Sequence, residues 1–245
     1  KMIKTDDDQI TALTELYQGL GVKKIHVKES LRITGLEEKN IENYDMQDSK
    51  KFSTQLRKIS KPTLIVANKI DVNGADRNFE RLRERYNDTI VVPASADSEL
   101  TLRRAEQKNL IRYSPGSEQF DILNTDDLNQ KQKDALDFIS KDIMGEYMRT
   151  GVQFAINMTV FKLLKMNSIY PVADPENLSD KKGRVLPDLV LLKDGATVVD
   201  LAKEVHSDLV KGLLYAKDLR YNLRIPTNYQ LRDRDVICLI SASKK

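Results

Sequence analysis

Residues 62–97 constrain the fold more than any other stretch, because they hold two strands that each end on a polar loop. TLIVA (63–67) is a continuous apolar run, bounded by Pro62 and by Asn68-Lys69-Ile70-Asp71. It is too short for a stable helix and reads as a strand buried on both faces, the kind that lies inside a parallel sheet. An amphipathic helix with Phe79, Leu82 and Tyr86 on one side follows. Then come TIVV (89–92), ending in PASAD, and a helix from Ser98 to about residue 109. Strand, helix, strand, helix is the alternation of an α/β architecture.

The flanking segments have a different texture. Thr5 and three aspartates open a helix over 5–20, with Ile10, Leu13, Leu16, Tyr17 and Leu20 on its apolar face and Gly19 and Gly21 as its stop. The acids suit the positive end of a helix dipole and read as capping, not metal binding. IHVKESL is a short apolar piece, and Phe52, Leu56 and Ile59 mark a helix from Ser49 to Ser60. After an irregular connector (110–124), helices are expected over 127–147 and 150–166, the latter with Val152, Ile156, Val160 and Leu163/Leu164 at helical spacing. From about residue 168, short apolar runs alternate with Gly, Pro and Asp turns around one helix, TVVDLAKEVH, which describes a small α+β domain. The expected domains are 1–60 (helical), 61–166 (α/β with trailing helices) and 167–245 (α+β).

Composition narrows the function classes. The 245 residues are 40% hydrophobic and 31% charged, enough for one or two domains with cores. No run reaches the roughly 18–20 apolar residues of a membrane span, and the first residues lack the apolar core of a secretory signal. The single cysteine, Cys238, excludes a disulfide framework and lies in the strand-like VICLI, where it reads as a packed thiol. His26 and His206 have no metal-ligand spacing around them. The cytoplasm is the expected compartment and a monomer the expected state. A chain opening at Lys1 reads as a fragment or a processed form.

The loop at 68–71 carries the chemistry. An ionised aspartate only accepts hydrogen bonds. The Watson–Crick edge of guanine offers two adjacent donors, the ring N1–H and the exocyclic amine, whereas adenine presents a lone pair at N1. A carboxylate from Asp71 in the base plane therefore selects guanine. Asn68 can contact the other edge and brace the loop, and the stem of Lys69 can lie across the ring. The competing reading is an ordinary strand-to-turn exit, since Asn and Asp favour turns. The second strand end, at Ser95-Ala96, shifts the balance, because backbone N–H groups there can meet the guanine oxygen. Both loops follow apolar strands of one α/β unit, the context such a motif requires.

With these residues in place, the chain resembles the Obg-related, YchF-like GTPases. NKID (68–71) is similar to the base-specificity motif of that superfamily, SAD (95–97) to its last base-contacting motif, and ELTLRRAEQKNLIRYSPGSEQF (99–120) to the segment that follows. Residues 1–60 resemble the latter part of a helical, coiled-coil-like insertion. IYPV (169–172) through VICLIS (236–241) resembles a TGS domain, a β-grasp module. The resemblance implies a partial P-loop NTPase G domain with a helical insertion plus a small α+β TGS domain. It implies GTP as ligand, Mg²⁺ in the complete protein, and a ribosome or RNA as partner. Many members carry Asn-x-x-Glu and prefer ATP; the aspartate and lysine here imply GTP.

No G-x-x-x-x-G-K-[ST] phosphate cradle occurs in the 245 residues. DVNG (71–74) and DKKG (180–183) match Asp-x-x-Gly formally, but neither follows its own apolar strand, so both read as turns. Hydrolysis and Mg²⁺ ligation are thus assigned to no residue, and the missing motifs are expected upstream of the insertion. Toward the carboxyl end, Lys211, Lys217, Arg220, Arg224, Arg232 and Arg234 face only Asp218 and Asp233, with Tyr215, Tyr221 and Tyr229 interleaved. Basic groups track phosphates and aromatics stack on unpaired bases, so Lys211, Lys217, Arg220, Arg224 and Tyr221 are RNA-contact candidates. A solvated sheet face with core tyrosines is the plain alternative. At the level of the whole chain, the alternative to a GTPase is a non-catalytic RNA- or ribosome-binding module.

Overall fold

The computed structural model describes residues 6–180, 182–186 and 188–242. Thr5 of the expected first cap and Lys181 of DKKG lie outside them. The chain divides into two compact units between Ala94 and Ser95, inside the expected 61–166 domain.

In the first unit, helices α1 (Asp6–Tyr17), α2 (Lys24–Thr34) and α3 (Met46–Ser60) enclose a core of Leu13, Val27, Leu31, Phe52 and Leu56. Tyr44 meets Phe52 edge-on, with ring centroids 6.5 Å apart. The stripe on α1 is narrower than the sequence suggested. Leu13 is buried, with Ile10 and Tyr17 packed against the core, but Leu16 is 69% exposed and Leu20 also faces solvent. Leu20 belongs to a 3₁₀ turn (Gln18–Leu20), where three residues per turn replace 3.6 and the phase is lost. IHVKESL is not an apolar piece but most of α2, which ends at Gly35 in a left-handed conformation. Helix α3 begins three residues before the expected Ser49, because Asp45 and Asp48 form a reciprocal cap.

The strands β1 (Ile65–Asn68) and β2 (Val91–Ala94) pair in parallel around α4 (Ala75–Arg85), with Asn68 level with Ala94. Burial of β1 on both faces is not observed: its residues alternate half-buried and exposed, and Val66 is 46% exposed. The reason is sheet size, since these two strands form a sheet of two and a central strand needs neighbours on both edges.

The second unit opens with α5 (Ala96–Gln107), which packs with a hairpin of β3 (Ile111–Arg112) and β4 (Asp121–Ile122) where a wholly irregular connector was expected. Helix α6 (Gln130–Phe138) runs through a π-helical segment (Ile139–Met144) into α7 (Gly145–Tyr147), and Leu102, Ile111, Tyr113, Leu136 and Ile139 share one core. Helix α8 (Val152–Asn157) likewise passes into a π segment (Met158–Leu163). Its apolar spacing does not form one buried face: Ala155 is buried, whereas Ile156 and Leu164 are exposed. Ile156 lies on the solvent side of α8 itself, and beyond Asn157 the i→i+5 bonding turns the helix more slowly than 3.6 residues per turn, so positions chosen on that period drift around it.

The carboxyl-terminal sheet has the order β6–β5–β9–β7–β8, built from β5 (Met166–Val172), β6 (Val190–Lys193), β7 (Leu213–Asp218), β8 (Leu223–Ile225) and β9 (Asp235–Ser241). β5 and β9 are parallel and the other neighbours antiparallel. Helix α9 (Val198–Val205) lays Val198 and Leu201 on Ile169, Ala216 and Ile237, and α10 (Ser207–Gly212) leads into β7. A mixed sheet gripping one helix is the expected β-grasp arrangement. Cys238 is buried in β9, and burial raises its thiol pKa.

Candidate guanine-recognition site

The loop after β1 is shaped by main-chain bonds. Lys69 adopts a left-handed conformation at φ 67°, one that costs a non-glycine residue about 1 kcal/mol or more. Ile70 is buried and donates its N–H to Ala94 O at 3.1 Å, tying this loop to the end of β2. Val72 N–H to Lys69 O and Ala75 N–H to Val72 O close the turn, and Gly74, at φ 79°, caps α4. DVNG is thus the turn it was expected to be.

Asp71 stands apart in this loop. Its Oδ1 is buried and, among the described residues, has no hydrogen-bond partner. A turn-forming aspartate satisfies itself on nearby N–H groups, but here the turn closes through backbone bonds and this oxygen is left over. Buried acceptors are almost always paired, so one that is not has a partner to find. Lys69 and Asn68 are exposed, and a hollow of about 250 Å³ lies alongside, lined by Asn68, Lys69, Asn73, Asn78 and Phe79. A larger hollow of about 580 Å³ lies under the turns around Asp174 and Asp180, whose carboxylates already accept local N–H groups, so it offers no comparable acceptor.

Ser95 follows Ala94 directly and caps α5. It is fully buried, its Oγ accepting from Ser98 N–H at 3.1 Å and donating to Ser98 Oγ at 2.8 Å. One detail departs from the sequence reading. The Ser95 N–H does not point to a ligand position; it donates to Thr150 O at 2.8 Å. Thr150, buried, donates in turn to Glu99 Oε2 at 2.6 Å, which also accepts from the Tyr113 hydroxyl at 2.8 Å. Sequence inspection missed Thr150, Glu99 and Tyr113 because nothing in MRTGV marks a residue that touches a loop so far upstream. Ala96 is the first residue of α5.

The RNA candidates divide. Arg220 is an internal counter-ion, not a free phosphate ligand: its side chain, 30% exposed, pairs with Asp235 and approaches Asp218, both fully buried. Desolvation raises the Asp235 pKa despite that partner. Lys211 is exposed and 3.6 Å from Asp208. Lys217 and Arg224 are cross-strand neighbours, and the Arg224 guanidinium lies 3.9 Å from the Tyr215 ring centroid. Tyr221 is 65% exposed. The two histidines cap helices: His26 Nδ1 accepts from Lys23 N–H and His206 Nδ1 from Asp208 N–H. Among the described residues, no cluster of three or more His, Cys, Asp or Glu could hold a metal, and no helix is long and apolar enough to cross a membrane.

A strand-ending Asn-Lys-x-Asp loop with an orphaned carboxylate oxygen, followed by a capped Ser-Ala-Asp strand end and a β-grasp sheet, defines the base-motif part of a G protein joined to a TGS module. Comparison with known proteins agrees. Residues 66–174 match the Obg-like GTPase YGR210-like G4 motif-containing domain and residues 178–241 match the TGS domain, so the chain joins an Obg-like G4 domain to a TGS domain. It is 39% identical over 235 residues to a GTP-binding protein of Methanocaldococcus jannaschii, covering 96% of this chain and 58% of that one. A GTP-binding protein of Schizosaccharomyces pombe is 27% identical over 172 residues, covering 67% of this chain and 42% of its own length. The crystal structure of a GTP-binding protein from Pyrococcus horikoshii OT3 is similar with a TM-score of 0.73 at 34% identity, covering 96% of this chain and 61% of that one. The chain therefore spans about three-fifths of the length of the first of these relatives and of the solved structure.

Proposed function

We propose that this chain is the guanine-recognition part of a GTP-binding regulatory protein. The observation that carries this reading is the buried Oδ1 of Asp71, which has no hydrogen-bond partner among the described residues. Asp71 accepts from the guanine N1–H and amine, Lys69 lies along the base plane, and Asn68 braces the loop. Hydrogen bonds to an ionised acceptor are the stronger kind, so one carboxylate suffices to reject adenine. The names of the relatives support GTP as the nucleotide. Titration with guanosine and adenosine, followed by amide NMR shifts at residues 68–71, tests this: guanosine is expected to bind more tightly, and equal affinities overturn it.

In the longer protein we expect GTP hydrolysis with Mg²⁺, both supplied by a phosphate-binding part outside these residues, measurable as phosphate release by malachite green. The TGS module is the expected contact with RNA or the ribosome, through Arg224, Tyr215 and Lys217 of its β7–β8 face. We place the protein in the cytoplasm as a monomer. Co-sedimentation with ribosomes tests the partner, with Lys217→Glu/Arg224→Glu expected to weaken it and to flatten its salt dependence.

A further inference from the structure

We propose that the solvent face of α3 is a docking surface for the phosphate backbone of RNA. From residue 49 to residue 61 the sequence holds five Lys and Arg residues and no Asp or Glu. Phe52 and Leu56 are buried in the core of the first unit. At 3.6 residues per turn, Lys50, Thr54 and Arg57 fall on the opposite side of the helix, and all three are exposed. Lys61, the carboxyl-terminal cap, continues this row, and the exposed Lys51 and Lys58 flank it. At a rise of about 1.5 Å per residue the row runs for about 16 Å. Among the described residues Lys50, Arg57 and Lys61 form no ion pair, and the nearby carboxylates are taken, Asp48 by Lys39 and Asp88 by Lys58.

Helix stability does not explain the row. Cations in the last turn complement the helix dipole, which accounts for Arg57 and Lys58, but Lys50 and Lys51 lie in the amino-terminal half, where that field gives them nothing. Arg57 and Lys61 are like charges four residues apart, a spacing that weakens a helix. A row of cations without counter-charges finds its complement in a polyanion. Phosphates suit it better than a carboxylate-bearing protein surface, because the charges of a nucleic-acid strand repeat regularly, and Ser and Thr hydroxyls join Lys and Arg as phosphate ligands. Thr54, exposed between Lys50 and Arg57, supplies such a hydroxyl. An anionic membrane fits less well: an interfacial helix buries its apolar face in lipid, and that of α3 already lies in the core, with Phe52 3% and Leu56 4% exposed. The choice of RNA as the polymer rests on the RNA reading of the TGS module above; the cation row stands without it.

Lys50→Gln/Arg57→Gln/Lys61→Gln discharges the row, and Lys50→Arg/Lys61→Arg keeps its charge. Arg103→Gln/Arg104→Gln/Lys108→Gln removes as much charge from exposed positions in and just after α5. The probe is a fluorescently labelled RNA hairpin, titrated with the whole chain by anisotropy at several salt concentrations. The discharged variant is expected to lower the slope of log K against log salt by about 2–3, and to bind roughly tenfold or more weakly at low salt. The arginine variant and the α5 control are expected to stay near wild type, and thermal melting to stay unchanged in all three, since only exposed side chains are altered. A discharged variant that binds as wild type does, or falls no further than the α5 control, overturns the proposal. So does a wild-type chain that binds no hairpin, prefers duplex DNA, or gives up the hairpin to polyglutamate of equal charge. Loss of binding to phosphatidylserine vesicles with RNA binding unchanged assigns the face to a membrane and overturns it too. If Lys217→Glu/Arg224→Glu abolishes RNA binding while the discharged α3 keeps it, the TGS reading survives and this inference fails; the reverse result supports α3 and removes the TGS contact.

Discussion

Replacing Asp71 with alanine should move stability and ligand affinity in opposite directions. An unsatisfied buried acceptor costs a protein about 1–3 kcal/mol, and Asp71 as a whole is only half-buried, so about 1 kcal/mol is the appropriate figure. The turn is closed by Val72 N–H to Lys69 O and Ala75 N–H to Val72 O, which alanine leaves intact. Asp71→Ala is therefore expected to stabilise the ligand-free chain by about 1 kcal/mol, a rise of roughly 2–8 °C in Tm depending on the size of the cooperative unit. On the binding side, two bonds to an ionised acceptor at about 1.5–3 kcal/mol each make the loss about 3–6 kcal/mol. That corresponds to a roughly 10²–10⁴-fold weaker guanosine complex. Calorimetric melting without ligand and isothermal titration with guanosine measure the two arms. A variant that melts lower than wild type yet binds guanosine as well would show that the carboxylate serves the turn, and the reasoning from its orphaned oxygen would be refuted.

Asp71→Asn exchanges an acceptor for a donor, so preference should pass from guanosine to xanthosine, whose 2-oxo group accepts where guanine donates; competition titration reads the change. Arg220→Ala strands two fully buried carboxylates, Asp218 and Asp235, and should destabilise the TGS module by about 3–5 kcal/mol in urea denaturation. Lys217→Glu, at a half-buried position with no carboxylate partner among the described residues, should cost about 1 kcal/mol. Asp200 is held at about 2, below the ordinary 3.8, by the Thr197 N–H, then Lys203 and the Thr197 hydroxyl. A depressed carboxylate stabilises above its unfolded pKa, so its contribution is complete above about pH 5 and lost as pH falls through about 2. Asp200→Asn should accordingly lower melting at pH 6 and lower it much less near pH 2. Phe52→Ala empties the core of the first unit and should cost about 3–5 kcal/mol by denaturant titration.

The α/β pair and the β-grasp sheet were legible because strand and turn chemistry is local: TLIVA and TIVV stop at polar residues, and LVLL, LLYA and VICLI are separated by Gly, Pro and Asp turns. The base loop was legible for the same reason, since Asn68 through Asp71 are contiguous. What failed to show was non-local or a matter of phase. Helix α2 hid because its buried Val27 and Leu31 are only two positions among charged neighbours. The exposure of Leu164 follows π-helical turns that no 3.6-residue template anticipates. Arg220 looked like a surface cation until its buried partners, Asp218 and Asp235, came together from different strands. The Thr150 bond to Ser95 joins residues from distant parts of the chain, and periodicity carries no trace of it.

The parallel pairing of β1 with β2 behaves like a reading frame. Asn68 is level with Ala94, and the Ile70 N–H bond to Ala94 O locks the two exits together. Side chains alternate along a strand with a period of two, so removing one residue between Ile65 and Asn68 turns the following loop to the opposite face. Removing two restores the facing but slides the loop about 6–7 Å along the sheet. Single substitutions at the half-exposed Val66 or Ala67 change only what is packed there. Length, more than identity, is the property these two short strands hold fixed for Asp71.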